Sequence, residues 1–318
     1  VLASTREIAG QNAAKFQEIG RYMKVSVCLL AGGTSPLADI SALSESPQVV
    51  VGTPGRVNSM IEGGHLKTSQ IKIFVLDEAD EMLKAGFEEQ VKNIFVSIKA
   101  ESFQSLLFSA TYSEQDLNVI KNMVEEPVEI DLRYEDQTLK GIKQYFVDIG
   151  PSLARGYSPT ARDQEVILKA HTLMDIFKNQ VLSQAMVFYN RKSHAALIHK
   201  TLNENGFPCE LITSDFSQEE RNQILNNFKS GKTRILVSSG LCKRGIDVQA
   251  LSVVVCLDVP NLDEKNDFIH RVGRSGRYGR KGIALHILNS QEADMLKKIA
   301  DHFHSIITPL PAGFSFKD

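Results

Sequence analysis

The stretch Ile73-Phe74-Val75-Leu76-Asp77-Glu78-Ala79-Asp80 runs four apolar residues directly into three carboxylates. A short continuous apolar run of this kind reads as a strand buried on both faces. In open parallel sheets, ligands sit beyond the C-terminal ends of the strands. A carboxylate placed there can hold a hard cation such as Mg²⁺, and its neighbour can orient a water for attack on phosphorus. The same residues would also suit a solvated turn whose acidic groups cap a helix.

Working outward, short β-branched runs alternate with amphipathic stretches. Strands are expected at 25–30, 48–51, 71–77, 105–108 and 128–131, and in a second series at 142–149, 185–189, 210–212, 234–238, 253–257 and 283–288. Helices are expected at 113–123, 191–204, 218–228 and 291–303. Such alternation predicts an α/β chain with parallel sheets and crossover helices. The polar segment 133–140 interrupts it, which gives a first lobe over 1–133, a linker at 134–140 and a second lobe over 141–318. The irregular stretch 150–163, with Pro151, Gly156 and Pro159, reads as a loop inside the second lobe.

The chain has 318 residues, a length suited to two domains. Hydrophobic residues make up 42% and charged residues 23%, so cores of ordinary size are expected. No window approaches the roughly 18 apolar residues of a membrane span. The start, Val1-Leu2-Ala3, is unlike a signal peptide and lacks Met, as in a fragment or a processed chain. The four cysteines form no C-x-x-C pair, so they read as reduced thiols of a cytoplasmic or nuclear protein. The formal charge of −2 argues against a passive basic coat for nucleic acid, yet leaves room for a local basic groove.

Eight strings in order resemble the motifs of the DEAD-box RNA helicases, a family of superfamily two. They are Ser4-Thr5-Arg6-Glu7-Ile8-Ala9, Gly32-Gly33, Thr53-Pro54-Gly55-Arg56, Asp77-Glu78-Ala79-Asp80 and Ser109-Ala110-Thr111, then Val187-Phe188-Tyr189-Asn190, Arg244-Gly245-Ile246-Asp247 and the run from His270 to Arg277. Gln218 and Arg221 match the family's Q-x-x-R pair. The resemblance implies two RecA-like lobes in tandem that use ATP and Mg²⁺ and close on RNA. It assigns Asp77 and Glu78 to the metal and the water, and Arg274 and Arg277 to the γ-phosphate. Gly245 and Asp247 go to the nucleotide, Asp247 to its ribose. Asp80, Ser109, Thr111 and His270 would couple the lobes. Thr5, Arg6, Gly33, Thr53, Arg56, Gln218, Arg221 and Ser239 would track the RNA backbone without reading bases. Each of these has a plainer reading taken alone. Thr5 and Thr53 suit helix caps, Ser109 and Thr111 could cap the helix at 113–123, and the arginines could be solvated charges.

Two features depart from the family pattern. A phosphate-gripping glycine loop with Lys and Ser/Thr is not found. Ser230-Gly231-Lys232-Thr233 imitates its end, but the glycine required upstream is Asn226, so the segment is expected to be a helix-to-strand turn. The true loop is expected before Val1. The first sheet is then incomplete, short of an interior strand, and the chain as given is expected to be inactive toward ATP. Ser239-Gly240 stands where the family carries Thr-Asp. The alternative reading is an ATP-independent RNA scaffold that kept the fold, which the DEAD and arginine strings oppose. At finer grain, 139–145, 109–112 and 257–260 resemble the DEAD-box subunit of the survival-of-motor-neuron complex, which implies a ribonucleoprotein-assembly partner.

Overall fold

The computed structural model describes the chain except residues 34, 84–85, 99–101, 113, 125, 132–140, 154–158, 179, 181–182, 241–250, 277–281 and 317–318. It forms two compact units, Val1–Ile130 and Asp131–Asp318. The linker expected at 134–140 lies outside the described residues.

The first unit carries β1 (Leu2–Ala3), α1 (Arg6–Gly20), β2 (Val27–Leu30), α2 (Pro36–Ser44), β3 (Val49–Gly52) and α3 (Pro54–Glu62). β4 (Ile73–Asp77), α4 (Ala79–Met82), α5 (Glu88–Ser97), β5 (Gln104–Phe108) and α6 (Glu114–Met123) follow. Its five strands pair in parallel in the order β2-β3-β1-β4-β5. Pro36 and Pro54 open α2 and α3, where a missing N–H costs nothing. The five strands pair without a break, and β5 forms one edge of the sheet. The two-residue β1 occupies the middle, too short to announce itself in the sequence. The strand expected at 128–131 does not form. Val128 and Ile130 are 90% and 82% exposed, with no ladder partner to turn local β-propensity into a strand.

The second unit carries β6 (Ile142–Asp148), α7 (Pro159–Phe177), β7 (Ala185–Phe188), α8 (Lys192–Glu204), β8 (Glu210–Ile212), α9 (Gln218–Lys229) and β9 (Ile235–Ser238). β10 (Val253–Cys256), α10 (Asn266–Val272), β11 (Gly282–Leu288), α11 (Ser290–His302) and β12 (Ile307–Pro309) complete it. Its order is β12-β6-β11-β10-β7-β9-β8, all parallel. Every residue of β7, β9, β10 and β11 is buried, as a sheet with helices on both faces requires. Capping boxes fix the starts of α9, through Ser217 and Glu220, and of α11, through Asn289 and Glu292. The loop expected at 150–163 is cut short, because α7 already begins at Pro159, a proline suited to a first helical turn. Ser230–Thr233 is the expected turn between α9 and β9, with Gly231 at φ +77°. Among the described residues no helix is long and apolar enough to cross a membrane.

Candidate functional site

The site of the first unit is built where β4 and β5 end side by side, with Asp77 in register with Phe108. Glu78 adopts the left-handed conformation, φ 55° and ψ 52°, and serves as the N-cap of α4. A residue with a Cβ pays on the order of 1 kcal/mol or more for this turn. The strain separates the fates of the flanking carboxylates. Asp77 accepts a hydrogen bond on Oδ2 from Asn12 Nδ2 of α1 at 2.7 Å. Asp80 is completely buried and accepts on both oxygens, from Ser109 Oγ at 2.7 Å and Thr111 Oγ1 at 2.9 Å. Ser109 Oγ also lies 2.7 Å from the Thr111 carbonyl. A hydroxyl has one proton, and an ionised carboxylate is the stronger acceptor. Ser109 and Thr111 therefore donate to Asp80. Burial, then the charges of Asp80 and Asp116, push the neighbouring Tyr112 phenol up to about 12.

The Arg6 guanidinium lies against the double glycine. A Cβ on Gly33 would stand 2.5 Å from Arg6 Nη1, and one on Gly32 3.1 Å from Nη2. Gly33 also has φ +90°, so both space and backbone call for glycine there. Arg56 of α3 pairs with Asp39 of α2, both side chains largely buried. Thr5 takes its plainer role, since its Oγ1 accepts from Ile8 N at 3.3 Å and caps α1. Thr53 sits at the N-cap of α3 without a side-chain cap bond.

In the second unit, Arg221 Nη2 donates to Gln218 Oε1 at 2.7 Å within the first turn of α9. Ser239 is buried just past β9, and its N–H donates to the Ile212 carbonyl at 3.3 Å. Arg274 Nε donates to the His270 carbonyl at 2.9 Å, across the C-terminal turn of α10. Gly245, Asp247 and Arg277 lie outside the described residues.

Sequence reading gave Arg271 no role of its own. Arg271, 1% exposed, donates through Nη1 to Asp258 Oδ1 at 2.7 Å and through Nη2 to Asn190 Oδ1 at 2.6 Å. The Asn190 N–H closes the ring on Asp258 Oδ2 at 2.6 Å, and the Arg271 guanidinium stands 5.8 Å from the Phe188 ring centroid. The clamp joins the ends of β7 and β10 to α10, the helix that carries His270. Asn190 and Asp258 sit in strings noted in the sequence, but nothing local says that they meet. Asn12 was missed for the same reason, being distant in sequence from Asp77.

Comparison with known proteins identifies the family of the chain. The family described as DEAD/DEAH box helicase matches residues 1–120, and the helicase conserved C-terminal domain matches residues 168–279. An ATP-dependent RNA helicase eIF4A of Encephalitozoon cuniculi is 51% identical over 320 residues, covering 100% of this chain and 74% of that protein. The eIF4A of Candida albicans is 39% identical, covering 98% of this chain and 74% of its own. Among solved structures, S. cerevisiae Dbp5 bound to RNA and ADP BeF3 superposes with a TM-score of 0.82 at 27% identity, covering 100% of this chain and 77% of that one.

Proposed function

We propose that this chain, which belongs to the DEAD/DEAH box helicase family, hydrolyses ATP at the end of β4 and uses it to remodel RNA. It is an ATP-dependent RNA helicase, not a scaffold that has kept only the fold. The observation that carries the site assignment is the wholly buried Asp80 held by Ser109 and Thr111. That network fixes the turn after β4 and so fixes where Asp77 and Glu78 stand.

The donor set suits Mg²⁺, which takes carboxylate oxygens and keeps several waters. Asp77 has one oxygen committed to Asn12, and its other makes no hydrogen bond to a described residue, which fits a single-oxygen ligand. When bound, the ion would neutralise charge on the phosphates of ATP. Glu78, turned by its left-handed backbone, would orient the attacking water and accept its proton. Arg274 would bring a guanidinium to the transferring phosphate, with its Nε tethered to His270. Arg6 packed on Gly33, Arg56, Thr53, the Gln218–Arg221 pair and Ser239 would hold the RNA backbone. RNA-bound Dbp5 among the structural neighbours supports that partner. Membership of the survival-of-motor-neuron complex rests on three short strings, of which 139–140 lie outside the described residues. The similarity along the whole chain runs instead to eIF4A proteins.

The test is Glu78→Gln in RNA-stimulated ATP hydrolysis by a chain that also carries the phosphate-gripping glycine loop. Turnover should fall by roughly 10²–10⁴-fold, the usual range for a lost general base, while RNA binding persists. Near-normal turnover would remove Glu78 from this role.

A further inference from the structure

Asparagine is a weak helix former, and inside a helix its amide commonly turns back on the backbone or out to water. Two asparagines around the end of α8 turn back. Asn203 Nδ2 donates to the His199 carbonyl at 3.0 Å, and Asn205 Nδ2 donates to the Thr201 carbonyl at 2.8 Å. Asn12, in the second turn of α1, behaves differently. Its Nδ2 crosses 65 residues of sequence to reach Asp77 Oδ2 at 2.7 Å. The packing of α1 makes that reach possible. Ile8, Ala9 and Ala13 are buried in one cluster with Ala3 and Val51. Ala3 of β1 lies in register with Asp77 of β4. With alanines at the contact the helix lies close on the sheet, and a side chain as short as asparagine spans from its flank to the end of β4.

The bond has one chemical sense. An ionised carboxylate only accepts, so the amide presents its NH₂ to Asp77. Both groups are only partly buried, so water could satisfy either of them without the other. Satisfying a stranded polar atom is therefore not what calls for this pairing.

The donor is also neutral. Among the described residues Asp77 forms no ion pair, and its one hydrogen-bond donor is the Asn12 amide. Asp258 of the second unit shows the other arrangement, in which the Arg271 guanidinium both holds the carboxylate and cancels its charge. A lysine or arginine at position 12 would do the same to Asp77. An amide there holds the carboxylate and leaves its charge for a ligand. It engages Oδ2, so Oδ1 is the oxygen offered.

On the assignment of Asp77 to the metal made above, we propose that Asn12 is a positioning residue of the cation site. It holds the Asp77 carboxylate in one orientation, with Oδ1 presented to a divalent cation or to a water on that cation, and its neutrality preserves the attraction. Hydrogen-bond partners standing behind metal ligands typically change metal affinity by roughly 10–100-fold when removed. Asn12 lies three residues beyond the string Ser4–Ala9, outside every motif that the sequence displays.

Mn²⁺ can report the site in place of Mg²⁺, since both suit carboxylate and water oxygens. The chain that also carries the phosphate-gripping glycine loop is saturated with ADP, and Mn²⁺ binding is read from the relaxation of water protons. Asn12→Leu keeps the bulk of the side chain and removes the donor. The Kd for Mn²⁺ should rise about tenfold or more, while ADP affinity measured in EDTA stays as in the parent. A general loosening of the first unit would not produce that split. Should Asn12→Leu fail to fold, Asn12→Lys decides the matter, because it restores a donor that carries a charge. The fold should then hold, and the Kd for Mn²⁺ should still rise by a similar factor. Parent-like Mn²⁺ binding in a folded Asn12→Leu or Asn12→Lys overturns the proposal. So does an equal loss of ADP affinity in EDTA, which would leave Asn12 a purely structural residue. Asp77→Asn separates the two levels of the reading. If it leaves Mn²⁺ binding unchanged, the assignment of Asp77 to the metal fails, and the role of Asn12 with it. If Asp77→Asn weakens Mn²⁺ and Asn12→Leu does not, only the role of Asn12 is lost.

Discussion

Asp80 and Asp258 are buried carboxylates just past the ends of parallel strands, one in each unit, and they are held by different chemistry. Asp80 accepts from two hydroxyls, Ser109 and Thr111. Asp258 accepts from the Arg271 guanidinium and the Asn190 N–H. A hydroxyl that rotates away carries no charge of its own and leaves one buried charge, Asp80, short of a donor. A buried guanidinium cannot leave without stranding two charges. The first arrangement suits a turn that must rearrange during a reaction cycle, and the second suits a joint that must not. Hydrolysis at β4 would then be read out through a network that yields, while α10 is presented from one that does not.

The largest effect should come from breaking the rigid joint. Arg271→Ala leaves Asp258 buried and uncompensated, a change that typically costs about 3–5 kcal/mol. Native-state hydrogen exchange should show that loss in the amides of β7 and β10, while β4 and β5 keep their protection. Uniform protection in both units after the substitution would mean that Arg271 is not the fastening of this sheet.

The hydroxyl network should give way more cheaply. Thr111→Val keeps the shape and removes one donor to Asp80, worth roughly 1.5–3 kcal/mol for a bond to a charged group. Exchange at β5 and α4 should speed accordingly, and β7 and β10 should be untouched. If Thr111→Val costs as much as Arg271→Ala, the contrast between a yielding and a fixed carboxylate fails.

The two networks also differed in how legible they were. The turn after β4 could be read because everything it needs is local or carried in a short string. An apolar strand runs into carboxylates, and a second strand runs into Ser109-Ala110-Thr111. The clamp could not be read. Its arginine lies 13 residues from Asp258 and 81 from Asn190, and only the folded order of β7 and β10 brings them together. The failures share this cause. The run at 128–131 has the composition of a strand, but pairing is decided by the sheet. Leu2–Ala3 has almost no pattern of its own, and β3 and β4 on either side make it a strand. Thr5 shows the converse, a motif position whose local reading as a helix cap was sufficient for its observed hydrogen bond.

The smallest effect expected concerns protons, and it tests whether the positive clamp leaves a mark on its unit. His286 of β11 is wholly buried, stacks against Phe268 at 5.7 Å, and has its imidazole depressed to about 3, first by burial and then by the charge of Arg271. In the unfolded chain the same group titrates near its ordinary value of about 6.5. Between those two values the unfolded state binds more protons than the folded one, so stability rises with pH across the window. The contribution is fully present above about 6.5 and is lost progressively as the pH falls toward 3. From pH 7 to pH 5.5 the loss from this one group should be about 1.3 kcal/mol. His194, His199 and His302 are depressed too, so the whole second unit should weaken in acid by more than His286 alone provides. His286→Phe isolates the share of interest. The difference in denaturation free energy between pH 7 and pH 5.5 should shrink by about 1.3 kcal/mol relative to the parent, whatever the variant's own stability at pH 7. An unchanged difference would mean that His286 meets a partner or water able to share its proton, and that the field of Arg271 is screened before it reaches β11.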